Sequence, residues 1–224
     1  MFGWMYKRMF SGHLSEKEDP RMSGYPVRAV IPDGAKLKSK HWKCQITLNQ
    51  GKEGACTGFA VAQEAACEPH VVPRINNDIA RSVYLEAKRI DRFAGEDYSG
   101  STVTAAMKVG KQLGWYDEYR WATSVDDLAL AIGHCGPAVL GIPMYRGMFK
   151  PDMYGYIGVG RGKQQGGHAI LCNGYDKFMN AFTLHNSWGP KWGRRNGECF
   201  IHYDEMVKLF DRGGRACIPI VRKG

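Results

Sequence analysis

The sequence predicts an α+β protein in which a helical half comes before a half rich in β-strands. Apolar residues recur every three or four positions in the first half, as at Ile79, Val83, Ala87 and Ile90, and this is the period of an amphipathic helix. After Pro137 the pattern changes to short apolar runs separated by turn residues, which is typical of strands. This order of segments indicates the α+β class and fits more than one fold within it.

Each helix of the first half has its own start signal. The alanine-rich run after Cys56 consists of strong helix formers. The second helix follows Asn76, a favourable N-cap residue, and the third starts near Thr102. The fourth starts at Ser124, with Asp127 three residues later as a partner that resembles a capping box. The sequence therefore predicts four helices before the change of pattern.

The second half contains four predicted strands. They are the apolar runs 138–142, 168–172, 181–184 and 199–203. A glycine-rich loop, residues 145–167, separates the first two of them. His168 therefore opens the second predicted strand.

The composition is that of a globular chain of 224 residues, with 44% hydrophobic and 24% charged residues. No apolar run approaches the roughly 18 residues of a membrane span, and no secretory signal is visible, so we expect no membrane association and a cytoplasmic location. The 7 cysteines are far apart and form no Cys-x-x-Cys pair, so neither a metal site nor a cofactor is predicted. A chain of this length does not need disulfides, which favours a reducing compartment.

The net charge of +9 raises the question of an acidic partner such as nucleic acid. Lys36, Lys38 and Lys40 alternate with other residues, as on an exposed edge, and no nucleic-acid-binding motif is visible. A solvated lysine-rich surface explains the charge better, so nucleic acid is not an expected partner.

Three separated segments carry the strongest functional signal. Residues 50–60 read QGKEGACTGFA, residues 166–169 read GGHA, and residues 186–189 read NSWG. Together they resemble the papain-like cysteine peptidases, and the similarity extends from about Trp42 to Tyr203. The Cys-Thr-x-Phe-Ala form around Cys56 resembles bacterial and viral relatives. The resemblance implies a papain-like two-lobe fold: a helical lobe, an antiparallel β-rich lobe, and the active-site cleft between them.

The resemblance assigns a role in acyl transfer to four residues. Cys56 is the nucleophile, and the N-terminus of the helix that it heads would stabilise its thiolate. His168 shuttles the proton, and Asn186 orients the imidazole. Gln50 donates a hydrogen bond to the oxyanion, together with the backbone N–H of Cys56. Taken alone, the cysteine and the histidine would be ordinary core residues, but the surrounding motifs favour catalysis.

The same resemblance implies four residues that bind substrate. Gly100 resembles the glycine segment that pairs with an extended substrate backbone, although a helix-entry turn explains it equally well. Tyr98 would line the pocket for a substrate side chain. Gly167 leaves the approach to the histidine unobstructed, and Trp188 would shield the imidazole–amide hydrogen bond from water.

The expected domain organisation is an N-terminal extension, residues 1–24, followed by a papain-like peptidase domain, residues 25–224. The helical lobe would span about 50–130 and the β-rich lobe about 131–224. The extension is far shorter than the inhibitory prodomain that is usual in the family, but it could still plug the cleft. The other cysteines, Cys44 and Cys67 among them, are expected to be packing residues.

The function predicted on this basis is that of a cysteine endopeptidase, which hydrolyses peptide or protein substrates through a Cys56 thioester. Two alternatives stay open. The same fold and chemistry could serve an amidase, a deamidase or a transferase, or the chain could be a catalytically silent, basic binding module. The intact set of Cys, His, Asn and Gln argues against the binding module, because binding has no physical need for all four.

Overall fold

The structure is a computed structural model that describes residues 13–14, 24–93, 95, 98–160 and 162–221. Most of the predicted extension, residues 1–24, therefore lies outside the described residues. The described helices are α1 (Cys56–Ala65), α2 (Asn77–Ile90), α3 (Val103–Gln112), α4 (Val125–His134) and α5 (Tyr203–Asp211). None of these helices is long and apolar enough to cross a membrane.

The strands form one sheet. They are β1 (Lys40–His41), β2 (Glu118–Ala122), β3 (Ala138–Tyr145), β4 (Gln164–Asp176), β5 (Ala181–His185), β6 (Glu198–His202) and β7 (Arg215–Ile220). They lie in the order β2-β7-β3-β4-β5-β6, and β1 pairs with β4. Every pairing is antiparallel. The α+β class with an antiparallel sheet is confirmed, although β1 and β2 come before the change of pattern and α5 comes after it.

Polar side chains set the helix starts that the sequence predicts. Asn76 Oδ1, Thr102 Oγ1 and Ser124 Oγ each accept a hydrogen bond from the backbone N–H three residues later, at 3.0, 3.0 and 3.1 Å. Asp127 does not complete a capping box, because its carboxylate accepts a hydrogen bond from Thr123 Oγ1 at 3.0 Å instead. The N-caps of α2, α3 and α4 are therefore confirmed, whereas the role predicted for Asp127 as the capping-box partner of Ser124 is wrong.

Two strands and one helix lie where the sequence pattern gave no clear signal. β2 and β7 have the sequences EYRWA and RACIPI, and they are held by pairing with each other and with β3. Tyr203, predicted to end a strand, instead begins α5, because Met206, Leu209 and Phe210 recur at helical spacing and bury one face. The glycine-rich loop is also shorter than expected, since β4 already starts at Gln164 and pairs with the end of β3.

Helix α1 is buried on nearly all sides. Cys56, Ala60 and Val61 pack in a cluster with residues of α3, β4 and β7, whereas Phe59 and Ala62 pack in a second cluster with residues of α2. A helix that is apolar all round is stable only inside a protein, where both faces are covered. The packing therefore fixes the N-terminal end of α1, where Cys56 lies, between helices on one side and the sheet on the other.

A disulfide bond joins Cys44 to Cys67. The prediction that both are packing residues is wrong, because the segment before Gln50 runs beside the end of α1 and brings the two sulfur atoms together. The free cysteines are Cys56, Cys135, Cys172, Cys199 and Cys217. A disulfide is typical of oxidising compartments, whereas the sequence favoured a reducing one. The cytoplasmic location stays a prediction.

Candidate active site

Cys56 is the first residue of α1 and faces strand β4. Its thiol is completely buried, and its Sγ accepts a hydrogen bond from the backbone N–H of Ala169 at 3.3 Å. Ala169 directly follows His168 in β4, so the strand brings the predicted base beside the predicted nucleophile. Cys56 and Ala169 are 113 positions apart in the sequence, and the packing of α1 against the sheet brings them together.

His168 and Asn186 form a buried pair. His168 Nε2 lies 2.9 Å from Asn186 Oδ1. The same oxygen accepts a hydrogen bond from the N–H of Ser187 at 2.8 Å, which fixes the orientation of the amide. Because the amide presents an oxygen, Nε2 carries the proton and Nδ1 is the free base. Nδ1 has no hydrogen-bond partner among the described residues.

Trp188 covers this pair. Its ring centroid lies 4.9 Å from the His168 ring, with a tilt of 38°. The ring of Trp192 meets that of Trp188 edge-on, with the centroids 5.1 Å apart. The ring of Phe149 stacks on that of Trp188, with the centroids 6.2 Å apart. The aromatic cluster keeps water away from the His168–Asn186 hydrogen bond and so strengthens it.

Gln50 forms hydrogen bonds with two residues, Ser187 and Glu53. Its Oε1 accepts a hydrogen bond from Ser187 Oγ at 2.7 Å, and its Nε2 donates one to the Glu53 carbonyl at 2.9 Å. The backbone N–H of Gln50 also donates to the Ser187 carbonyl at 2.9 Å. One hydrogen of the amide stays available for a further acceptor. Sequence reasoning gave Ser187 no role, although its position next to Asn186 was a signal that it lies in the site.

Burial determines the protonation state of the thiol and the imidazole. It raises the pKa of the Cys56 thiol to about 12, although the backbone N–H groups of Ala169, Cys56 and Thr57 act in the opposite direction. Burial also lowers the pKa of His168 to about 4, against the effect of its hydrogen bond to Asn186. Both shifts favour the neutral forms of the thiol and the imidazole at neutral pH. Desolvation of Cys56 acts against the thiolate and outweighs the helix-terminal N–H groups in this structure, so the thiolate at the helix N-terminus stays a prediction.

His13 and Leu14 lie across the cleft. The N–H of Leu14 donates to the Ser101 carbonyl at 2.9 Å, and the N–H of His13 donates to the Gly167 carbonyl at 3.4 Å. Ser101 precedes α3, whereas Gly167 belongs to β4, so this short segment bridges the helical side and the sheet side. Sequence reasoning missed His13, because its neighbours form no motif.

The side chain of His13 enters a space left by two glycines. A Cβ at Gly141 would lie 2.6 Å from His13 Nε2, and a Cβ at Gly167 would lie 2.3 Å from the His13 carbonyl oxygen. Val103 borders the same space. His13 Nδ1 is shielded from solvent and has no hydrogen-bond partner among the described residues. Burial and the proximity of His168 lower the pKa of His13 to about 4.

Two of the predicted substrate-binding residues, Gly100 and Tyr98, make contacts with α2 and the segment after it. Gly100 is buried, with φ at 104°, and its N–H donates to the Tyr84 hydroxyl at 3.1 Å. Tyr98 donates its hydroxyl proton to Asp91 at 2.6 Å, and its ring meets Phe93 edge-on. These contacts hold Tyr98 against the end of α2 and do not tie it to Cys56. A role for Tyr98 and Gly100 in substrate binding stays a prediction.

The described residues contain no group of three or more His, Cys, Asp or Glu side chains that could hold a metal ion. Elsewhere in the fold, His41 Nε2 lies 3.0 Å from Glu198 Oε1, and Asn173 donates a hydrogen bond to the same oxygen at 2.8 Å. These contacts join β1, β4 and β6, whereas Asn173 Oδ1 has no hydrogen-bond partner among the described residues.

Comparison with known proteins gives relatives of one kind. No protein-family profile matches the chain. An uncharacterized peptidase C1-like protein of Acanthamoeba polyphaga mimivirus is 22% identical over 191 residues, which cover 65% of this chain and 61% of the relative. The chain thus spans about three fifths of the length of that curated relative.

Solved structures give a closer match in shape. Xylellain, a cysteine protease from Xylella fastidiosa, matches with a TM-score of 0.67 and 18% identity, over 97% of both chains. Procathepsin B S9 from Trypanosoma congolense matches with a TM-score of 0.67 and 11% identity, over 100% of this chain and 90% of that one. The Carica candamarcensis cysteine protease CMS1MS2, in complex with E-64, matches with a TM-score of 0.54 and 14% identity, over 80% and 94%. The chain therefore has the fold of the papain-like cysteine proteases, as its sequence predicts.

Proposed function

We propose that the protein is a cysteine endopeptidase that cleaves peptide bonds through a covalent thioester on Cys56. The observation that supports this most is the buried His168–Asn186 pair beside the thiol at the head of α1. Ser187 links Gln50 to the same segment. A thiol, a base with a fixed tautomer and a side-chain N–H donor are the parts that acyl transfer requires.

The reaction begins with transfer of the Cys56 proton to His168 Nδ1. The thiolate then attacks the substrate carbonyl, and the oxyanion is stabilised by the backbone N–H of Cys56 and the unused amide hydrogen of Gln50. His168 gives its proton to the leaving amine, and a thioester forms on Cys56. Water, deprotonated by His168, then hydrolyses the thioester and restores the thiol. Asn186 holds the imidazole in the tautomer that both steps use.

A peptide is the substrate class that the cleft favours. The Ser101 and Gly167 carbonyls each accept a hydrogen bond from main-chain N–H groups of an extended segment, residues 13–14. An extended peptide substrate binds by the same strand-like pairing. In this mode, hydrogen bonds to the peptide main chain supply affinity, and side-chain pockets supply specificity. This is the reason to prefer a peptidase over an amidase with a small-molecule substrate.

The position of His13 and Leu14 further supports autoinhibition by the N-terminal extension, residues 1–24. A segment that occupies main-chain acceptors on both sides of the cleft competes directly with substrate for them. The neutral thiol and imidazole are consistent with a resting form. Opening of the cleft would readmit water, lower the pKa of the Cys56 thiol and raise that of His168, so that proton transfer between them becomes favourable.

The test is covalent labelling of the full chain with E-64, an epoxide that alkylates thiolates, followed by peptide mapping and by hydrolysis assays on peptide substrates. We expect one adduct on Cys56, and both the adduct and the hydrolysis should disappear in Cys56→Ala. Cys135→Ala is the matched control, because Cys135 is the free cysteine that is not fully buried. Hydrolysis that persists in Cys56→Ala, or an adduct on Cys135 alone, would show that the proposed chemistry is wrong.

A further inference from the structure

Gln63 is a buried polar side chain in the last turn of a largely apolar helix. It lies in α1, seven residues after Cys56, and none of its surface is exposed. Both ends of its amide are used: Oε1 accepts a hydrogen bond from the Leu48 N–H at 3.0 Å, and Nε2 donates one to the His185 carbonyl at 3.1 Å. A buried amide is costly unless it is paired, and here both the donor and the acceptor are paired.

The two partners of Gln63 belong to the two segments that carry the other site residues. Leu48 lies two residues before Gln50, and His185 is the residue before Asn186. A single side chain on α1 therefore connects the nucleophile's helix to the segment of the oxyanion donor and to the segment of the orienting amide. The partners are 15 and 122 residues away along the chain, so no local structure requires this arrangement.

We propose that Gln63 is a positioning residue for the site, one that sets the distance from Cys56 to the His168–Asn186 pair and to Gln50. This inference rests on the proposed function. Gln63 does not touch the reacting atoms. Its amide fixes how α1 sits against the ends of the two segments, and small displacements of reacting groups cost large factors in rate.

Other contacts hold the same segments in the fold. His185 Nε2 donates to Thr47 Oγ1 at 3.0 Å, and Thr47 in turn donates to the Asn196 carbonyl at 2.7 Å. The Leu48 carbonyl accepts a hydrogen bond from the N–H of Gly189 at 3.0 Å. Because these bonds survive the loss of Gln63, its variants should fold, and the effect should fall on the relative placement of Cys56.

Two substitutions separate positioning from simple packing. Gln63→Leu keeps the volume but leaves the Leu48 N–H and the His185 carbonyl without a partner. Gln63→Glu restores both hydrogen bonds only when the carboxyl is protonated, since the neutral acid accepts with one oxygen and donates with the other. The ionised acid cannot donate to the His185 carbonyl and repels it. The activity of Gln63→Glu relative to wild type should therefore rise as the pH falls.

The experiment measures peptide hydrolysis and the rate of Cys56 alkylation by iodoacetamide for both variants, from pH 5 to pH 8. We expect Gln63→Leu to lower kcat by roughly 10- to 100-fold at every pH with KM changed by less than about threefold. Gln63→Glu should approach wild type at acid pH and lose activity only above the pKa of its carboxyl, which burial raises. Leu209→Ala, a buried residue of α5, is the control that lowers stability without touching the site.

The outcomes are distinct. A kcat loss for Gln63→Leu no larger than that for Leu209→Ala overturns the positioning role, and so does a Gln63→Glu variant that is as impaired as Gln63→Leu at pH 5, where its carboxyl is neutral. If the wild type hydrolyses no peptide, the proposed function fails by itself. The alkylation rates of Cys56 then still decide the role of Gln63, because they report the pairing of thiol and imidazole without a substrate.

Discussion

Acid should release the N-terminal segment from the cleft, and His13 should be the group that responds. In the docked form the pKa of His13 is lowered to about 4 from the ordinary 6.5, by burial and by His168. A lowered histidine pKa means that docking favours the neutral ring. Docking is therefore at full strength above about pH 6.5 and is lost progressively as the pH falls toward 4.

The size of the effect follows from the two pKa values. The full shift corresponds to on the order of 3 kcal/mol of docking free energy, reached at and below pH 4. At pH 5 the docking constant should already be weaker by roughly 30-fold. His168 faces the same space and also has a lowered pKa, so its protonation adds to the opening in the same pH window.

The assay is the rate at which Cys56 reacts with 2,2′-dipyridyl disulfide between pH 4 and pH 8, since this reagent remains reactive in acid. The comparison is between wild type and His13→Phe, whose ring fills the same space but cannot take up a proton. In the wild type, Cys56 should become accessible to the reagent below about pH 6. In His13→Phe, Cys56 should remain inaccessible to lower pH. His168 is present in both proteins, so its own titration cancels in the comparison. Identical pH profiles for the two proteins would refute the reasoning.

Three further predictions concern single contacts. Asn186→Ala should lower kcat less than His168→Ala does, because the amide orients the imidazole and transfers no proton; steady-state kinetics of the two variants checks this, and an equal loss would contradict it. Gly141→Ala places a Cβ 2.6 Å from the His13 ring nitrogen, so the segment should be displaced and Cys56 should label faster at pH 7. Cys44→Ser should lower the free energy of unfolding by about 2–4 kcal/mol in non-reducing denaturant titrations, and an unchanged midpoint would mean that the disulfide is not formed in solution.

Cys56, His168 and Asn186, the proposed nucleophile, base and orienting amide, could be singled out in the sequence because each lies in a short segment with several characteristic neighbours. Cys56 is flanked by small residues and a helix-forming run, and Asn186 is followed by Ser, Trp and Gly. Their hydrogen-bond partners agree with those roles, since His168 does pair with Asn186. Motifs of this kind consist of neighbouring residues, so they can be recognised in a single sequence.

The parts that escaped prediction depend on contacts between distant residues. Gln63 looks like any helix former until Leu48 and His185 are placed beside it. His13 has no motif, and only the glycines at 141 and 167 make room for it. The lowered acidity of the Cys56 thiol also follows from what covers it and not from its place at a helix start. In each case the deciding quantity is burial or pairing, which a local pattern does not contain.

The bond between Cys44 and Cys67 closes a covalent ring within the chain, and both Gln50 and Cys56 lie inside that ring. Transient opening of the protein can therefore separate the thiol from His168, which lies outside the ring, more readily than it can separate the thiol from Gln50. The two proposed oxyanion donors would stay close together through partial unfolding, and Gln50 would regain its orientation when the ring docks again on the sheet beside Ser187. A protein built in this way keeps two of its four proposed site residues close together wherever the disulfide survives, and loses that advantage once a reductant opens the ring.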